Sequence, residues 1–361
     1  LRIGCLLLQH YPEAARSQEL FAIIGQLNLG LALITDENEK HQLAQLNLHA
    51  AKQAKQASVW DAALRYAYIG IELLSEASWK TDYTLNFELH LLQVECQFLV
   101  SNHEQGQILA EALIEKAQTP LEKAQICFLL TSQQMMLPLD YCIQQGLAGL
   151  GYCGLPTPKL TQIDASLIEQ EYQNLQALLK QQNWQEQAKM SLDKIVPANI
   201  SLAYRFYAQL AGASQVAGKP MLIFFSIYKG LSTVLENCAN EEAIILYALY
   251  SGISVKQGKH IEGNKAAKVA LALLERYPLC TDAAYINMTL GTFVWFYQQP
   301  LKDAITLQVK AHELGYESGD IVLGVVAGYS NAQFNHYASG LSLSQLQANL
   351  ATLKTLMHKH G

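Results

Sequence analysis

Residues 241–278 read EEAIILYALYSGISVKQGKHIEGNKAAKVALALLERYP. Within them Ile244, Ala248, Ser251 and Val255 recur at steps of four, three and four. That spacing gathers apolar or small side chains on one helical face. Gly258 interrupts the pattern, Gly263, Ala267, Ala270, Leu271 and Leu274 resume it, and Pro278 closes it. The stretch predicts two helices joined by a tight turn. Ser251, Gly263 and Ala270 are small, and small residues let two helix backbones approach closely.

The same spacing occurs elsewhere. Ala51, Ala63 and Gly70 stand at the relative positions of Ser251, Gly263 and Ala270, and Ala304 and Ala311 repeat the last step. These echoes predict an all-α chain of stacked antiparallel helix pairs. Each hairpin is about as long as one tetratricopeptide unit, so the expected form is a tetratricopeptide-like right-handed superhelix.

Working outward, Glu13 to Leu33 reads as one helix. Asp36-x-x-Glu39 has capping-box spacing and starts the next helix, which runs to about Ala57. Ser58 starts its partner, and Trp79 and Asp82 fall in a connector. Tyr83–Val100 pairs with Glu104–Ala117. Thr119-Pro120-Leu121-Glu122 joins a capping box to a proline at the first helical position, and Leu137-Pro138 ends or kinks that helix. Asp140–Leu150 is short and helical. Gly151–Lys159, GYCGLPTPK, is the most turn-like segment. It sets expected halves at 1–155 and 156–361, or else it is a long loop within one continuous solenoid. Ser166-x-x-Glu169 opens a further helix, and Trp184–Leu192 is ambiguous. Pro197 and Gly218-Lys219-Pro220 bound two helices that are apolar nearly all round and therefore central. Asp282–Tyr297 with Leu301–Leu314, then Asp320–Tyr337 with Ser344–His358, complete the series.

Bulk composition agrees. Of 361 residues, 50% are hydrophobic and 16% charged, enough for a large core. No proline lies between Glu13 and Thr119, which favours successive helices. The net charge of −6 and the lack of a basic run beyond Lys52/Lys55 argue against a nucleic-acid surface. The seven cysteines form no C-x-x-C and read as buried, reduced thiols of a cytoplasmic protein. The opening LRIGCLLLQH lacks the charged start and cleavage site of a signal peptide. It reads as the end of a helix arriving from an upstream domain, broken at Tyr11-Pro12. Leu20–Ile34 is too short to span a bilayer, so no membrane partner is expected.

The usual catalytic devices do not form. A P-loop needs an earlier glycine and a hydroxyl after its lysine; Gly218-Lys219 is followed by Pro220, and Gly258-Lys259 by His260. Gly212-Ala213-Ser214 lacks the last glycine of a nucleophile elbow. His312-Glu313 begins like a zinc-protease helix without its second histidine, and His41 and His49 are too far apart to chelate alone. The expectation is no catalytic residue, no metal and no cofactor in this segment.

Four stretches carry a family resemblance: RIGCLLLQHYPEA (Arg2–Ala14), the run from Leu33 to Leu74, GLAGLGYCGLP (Gly146–Pro156) and GKHIEGNKAAKVALALLERYP (Gly258–Pro278). Their order resembles the long helical region of large bacterial multidomain signalling kinases. In that family the region follows a P-loop ATPase module, often behind a serine/threonine kinase domain, and commonly precedes GAF and histidine-kinase, or sometimes diguanylate cyclase, domains. The resemblance implies a non-catalytic scaffold or sensor arm whose partners are the neighbouring ATPase and output domains or other proteins. The repeat spacing makes Ala248, Gly252, Val255, Thr289, Phe293 and Phe296 the expected groove lining. That face is apolar and suits a protein surface or a greasy ligand better than a charged peptide end. Phe293, Trp295, Phe296 and Tyr297 are either core or groove. The alternative function is a small-molecule-sensing helical arm of an ATPase-type transcription regulator.

Overall fold

The computed structural model describes residues 2, 3, 6, 13–182, 195–297, 299–318, 323–328 and 342–360. The described residues are helical or in turns, with no strand among them. The chain divides into two compact units, residues 1–145 and 146–361.

In the first unit, α1 (Glu13–Asn28) leads through a 3-10 turn (Leu31–Leu33) to α2 (Glu37–Gln56), so the helix expected through Leu33 breaks at Asn28. Asp36 caps α2 as expected, accepting from Asn38 N at 2.9 Å and Glu39 N at 3.0 Å. Next come α3 (Trp60–Glu72), α4 (Tyr83–Leu99), α5 (His103–Lys116) and α6 (Pro120–Thr131), with a single helical turn at Ser78–Thr81 between α3 and α4. Helices α2 and α3 pack as one antiparallel pair, α4 and α5 as the next, and α2 also touches α4. The capping box at α6 forms in full: Glu122 N donates to Thr119 Oγ1 (3.2 Å) and Thr119 N to Glu122 Oε2 (2.8 Å).

Two expectations in this unit fail. Helix α6 stops at Thr131, well before Leu137-Pro138. Thr131 and Ser132 turn their hydroxyls onto the carbonyls of Cys127 and Phe128, which competes with the backbone ladder and weakens the last turn. Pro138 instead precedes α7 (Leu139–Tyr152), its carbonyl accepting from Cys142 N. Ser58 does not start α3. It sits at φ 57°, and the helix begins at Trp60.

The division between units falls within α7. In the second unit, α8 (Ala165–Gln181) precedes the pairs α9 (Ala198–Val216) with α10 (Pro220–Glu236), α11 (Ile244–Lys256) with α12 (His260–Arg276), and α13 (Ala283–Phe293) with α14 (Leu301–Glu317). Helix α15 (Leu343–His360) comes last. The largest fully buried aromatics are Tyr204, Phe206 and Tyr207 of α9, Phe225 of α10, and Tyr247 and Tyr250 of α11. The cap of α8 is Asp164, accepting from Leu167 N at 3.0 Å, rather than Ser166. The readings of 1–12 and Trp184–Leu192, and most of Asp320–Tyr337, lie outside the described residues.

One turn recurs. Helices α2, α4, α7, α9 and α11 end in a residue at positive φ: Ser58, Ser101, Gly154, Gly218 and Gly258. In each case the following amide reaches back five residues, as from Lys259 N to Ser254 O at 2.9 Å and Val59 N to Ala54 O at 2.9 Å. This is the Schellman closure, which satisfies the last carbonyls of a helix. Serine pays roughly 1–2 kcal/mol to sit left-handed there. Ser58→Gly and Ser101→Gly are therefore expected each to raise stability by about 0.5–1 kcal/mol, after the extra chain entropy of glycine. A rightward shift of the urea midpoint for both variants checks it.

A second recurrence crosses from pair to pair. Gln97 Nε2 of α4 donates to Tyr68 Oη of α3 at 2.6 Å, and Gln257 Nε2 at the end of α11 donates to Tyr228 Oη of α10 at 3.0 Å. Each pair is separated by 29 residues. Gly70 presses on Asn47 and Leu89, and Gly230 on Tyr207 and Leu246. Ser58, Tyr68, Gly70 and Gln97 all have their counterparts 160 positions later, at Gly218, Tyr228, Gly230 and Gln257.

The small residues read as contact points are all buried: Ala51, Ala63, Gly70, Ser251, Gly263, Ala270, Ala304 and Ala311. Of the six cysteines described, five are buried and Cys238 is half-buried, all as free thiols. Burial pushes Cys96 and Cys153 up to about 11 and Cys280 to about 12. These are inert core thiols.

Candidate functional site

The expected groove residues whose side chains are described differ in exposure. Ala248, Val255 and Thr289 are buried within the helix packing. Val255 faces α12, its Cγ2 lying 2.7 Å from where a Cβ on Gly263 would be. Gly252 is half-buried with open space around its Cα, and Phe293 is 56% exposed at the end of α13. Phe296 lies in the 3-10 turn Trp295–Tyr297, and its side chain is outside the described residues.

Two clefts lie elsewhere, one in each unit. The first, about 560 Å³, runs along α2, α4 and α6. Phe87, Leu91, Leu92 and Leu121 give it an apolar lining, and charged side chains of α2 and α4 also line it. Lys52 Nζ meets Glu88 at 2.5 Å, and Lys55 pairs with Glu95. These ion pairs tie α2 to α4. At its far end burial pushes the Glu122 carboxyl up, but donors from Thr119, Tyr83 and Gln118 outweigh that and hold it below the usual range. The cations of this cleft are thus already matched.

The second cleft, about 500 Å³, lies between the C-terminal part of α8 and the turn joining α11 to α12. Helix α8 lies along α10 through the Tyr172–Tyr228 ring contact at 5.3 Å and the hydrogen bond from Gln182 Nε2 to Leu235 O at 2.8 Å. Glu171 and Lys229 approach to 3.7 Å at the same interface. That placement lets Gln176 reach across to the next pair, donating to Glu262 Oε1 at 2.6 Å and Tyr250 Oη at 3.0 Å. The Tyr250 hydroxyl also donates to Glu262. Burial, reinforced by the Glu262 carboxylate, holds Tyr250 well above the ordinary tyrosine range.

Cations and one imidazole complete this lining: Lys180, Lys259, His260 and Lys265. Lys259 Nζ stands 3.8 Å from the centre of the Tyr172 ring and 3.0 Å from Gln257 Oε1. His260 stacks on Tyr297 with centroids 4.9 Å apart. Sequence reading tested Gly258-Lys259 only as a nucleotide loop and passed over Lys180 and Lys265. The one local signal was a lysine at a helix-hairpin turn with another six residues on.

Among the described residues no group of histidine, cysteine, aspartate and glutamate could hold a metal ion. No described helix is long and apolar enough to cross a membrane. No family model matches the chain. A stretch of it is 25% identical over 146 residues to the hybrid signal transduction histidine kinase G of Dictyostelium discoideum. That match takes in 38% of this chain and only 4% of the relative, so the chain spans a small part of that protein's length, and what they share is a helical region similar in part to a signalling histidine kinase.

Proposed function

We propose that this chain is a non-catalytic helical scaffold and sensor segment of a multidomain signal-transduction kinase. In this reading its pairs wind into a right-handed tetratricopeptide-like superhelix. They contact neighbouring ATPase and output domains, or other proteins, in the cytoplasm. The chain itself carries no cofactor and engages neither nucleic acid nor membrane. The observation that carries the reading is the partial likeness to a hybrid histidine kinase, falling on a chain made of packed helix pairs. Such pairs bury one another's apolar faces and leave long outer surfaces for partners.

A phosphotransfer assay tests it. The chain incubated with γ-labelled ATP is expected to release no phosphate and to label neither itself nor a co-expressed receiver domain. Turnover that survives repeated purification would sink the reading.

The second reading, a small-molecule-sensing arm of an ATPase-type transcription regulator, draws its support from the cleft of about 500 Å³ beside α8. A compound that binds only the folded chain would raise its melting temperature.

A further inference from the structure

The cleft beside α8 gathers more positive charge than its surroundings balance. Lys180, Lys259 and Lys265 line it together with a single carboxylate, Glu262. That carboxylate already accepts from Tyr250 and Gln176. Lys180 and Lys265 are exposed and make no ion pair among the described residues. His260 Nδ1 is buried at the same wall and has no hydrogen-bond partner among the described residues. This happens in a chain whose net charge is −6. The cleft of the first unit also holds two lysines, but each faces its own glutamate. An unbalanced cluster is therefore specific to the second cleft.

We propose that this cleft binds a small phosphorylated molecule. Lysine ammonium groups recognise phosphate as mobile point charges. Three of them held around one hollow repel each other, and a multivalent anion relieves that repulsion. The volume is in the range of small-molecule sites. Leu179 and Ile261 offer an apolar wall for the rest of the ligand. The lysines come from α8 on one side and from α12 and its preceding turn on the other. A bound anion would thus bridge elements that now meet through Gln176 and Tyr172. The proposal is independent of the scaffold reading, because the latter is tested by phosphotransfer and this one by binding.

Calorimetric titration of the chain with inorganic pyrophosphate, against sulfate at matched ionic strength, is the test. Saturable one-to-one binding of pyrophosphate is expected, with sulfate much weaker. Lys180→Ala/Lys265→Ala should weaken it by about tenfold or more. Lys268→Ala/Lys302→Ala removes the same charge from exposed positions outside the cleft and should leave the affinity nearly unchanged. Equal losses in the two double variants would mean a diffuse counter-ion effect and overturn the proposal. So would the absence of saturable pyrophosphate binding. The substituted lysines are exposed, so circular dichroism should show the parent and both double variants equally helical.

Discussion

Gly263→Ala is expected to destabilise the second unit by about 2 kcal/mol, while Gly252→Ala on the facing helix stabilises it by up to about 1 kcal/mol. The substitution is the same and both residues are helical, so intrinsic propensity favours alanine at each. Surroundings decide the sign. A Cβ on Gly263 would stand 2.9 Å from the carbonyl oxygen of Ser251 and 3.3 Å from Val255 N. Those are backbone atoms of α11 and cannot rotate away, so α12 must back off. A Cβ on Gly252 would meet nothing within 4 Å. Thermal unfolding of the two variants, side by side with the parent, gives the comparison. Matching shifts in the same direction would mean that helix propensity alone governs both sites.

Gly149→Ala should cost more, about 3 kcal/mol. Here the added methyl would fall 2.1 Å from Cζ and 2.5 Å from Cε1 of Phe206. Phe206 is wholly buried, so its ring has little room to retreat. Shortening the obstacle should help: Phe206→Leu in the Gly149→Ala background is expected to recover at least about 1 kcal/mol. Alone, Phe206→Leu leaves a void and should destabilise by about 1–2 kcal/mol. The two changes are therefore non-additive, and a double-mutant cycle measured by urea unfolding reads the coupling. Simple additivity would show that the ring and the glycine do not oppose each other.

These two glycines mark how far the sequence could be read. Gly263 was legible because Ser251, Gly263 and Ala270 sit on a helical period within one hairpin. Gly149 was not, because its partner Phe206 is distant in sequence and no local pattern links them. Caps divide the same way. Thr119, Pro120 and Glu122 offered one consistent start, and it formed. At α8 the start read at Ser166-x-x-Glu169 did not form. Extended backbone at Asp164 (φ −112°, ψ 179°) put its carboxylate on Leu167 N. The end of α6 escaped notice because Pro138 looked decisive while the side-chain hydroxyls of Thr131 and Ser132 acted earlier. The groove was read from repeat spacing alone, which says which residues share a face but not what already covers it. Ala248, Val255 and Thr289 are covered by neighbouring helices. The lysine cleft needed α8 to lie along α10, and that placement is a tertiary fact without a short-range signature.

The matched tyrosine–glutamine crossbars have a consequence for the links they span. Between Tyr68 and Gln97 the chain passes a helical turn at Ser78–Thr81, and between Tyr228 and Gln257 a 3-10 turn at Glu241–Ala243. The turns differ in make-up, yet tyrosine and glutamine stand 29 residues apart in both cases. One residue inserted into either turn would shift the glutamine away from its tyrosine. Spacing along the chain is the ruler here.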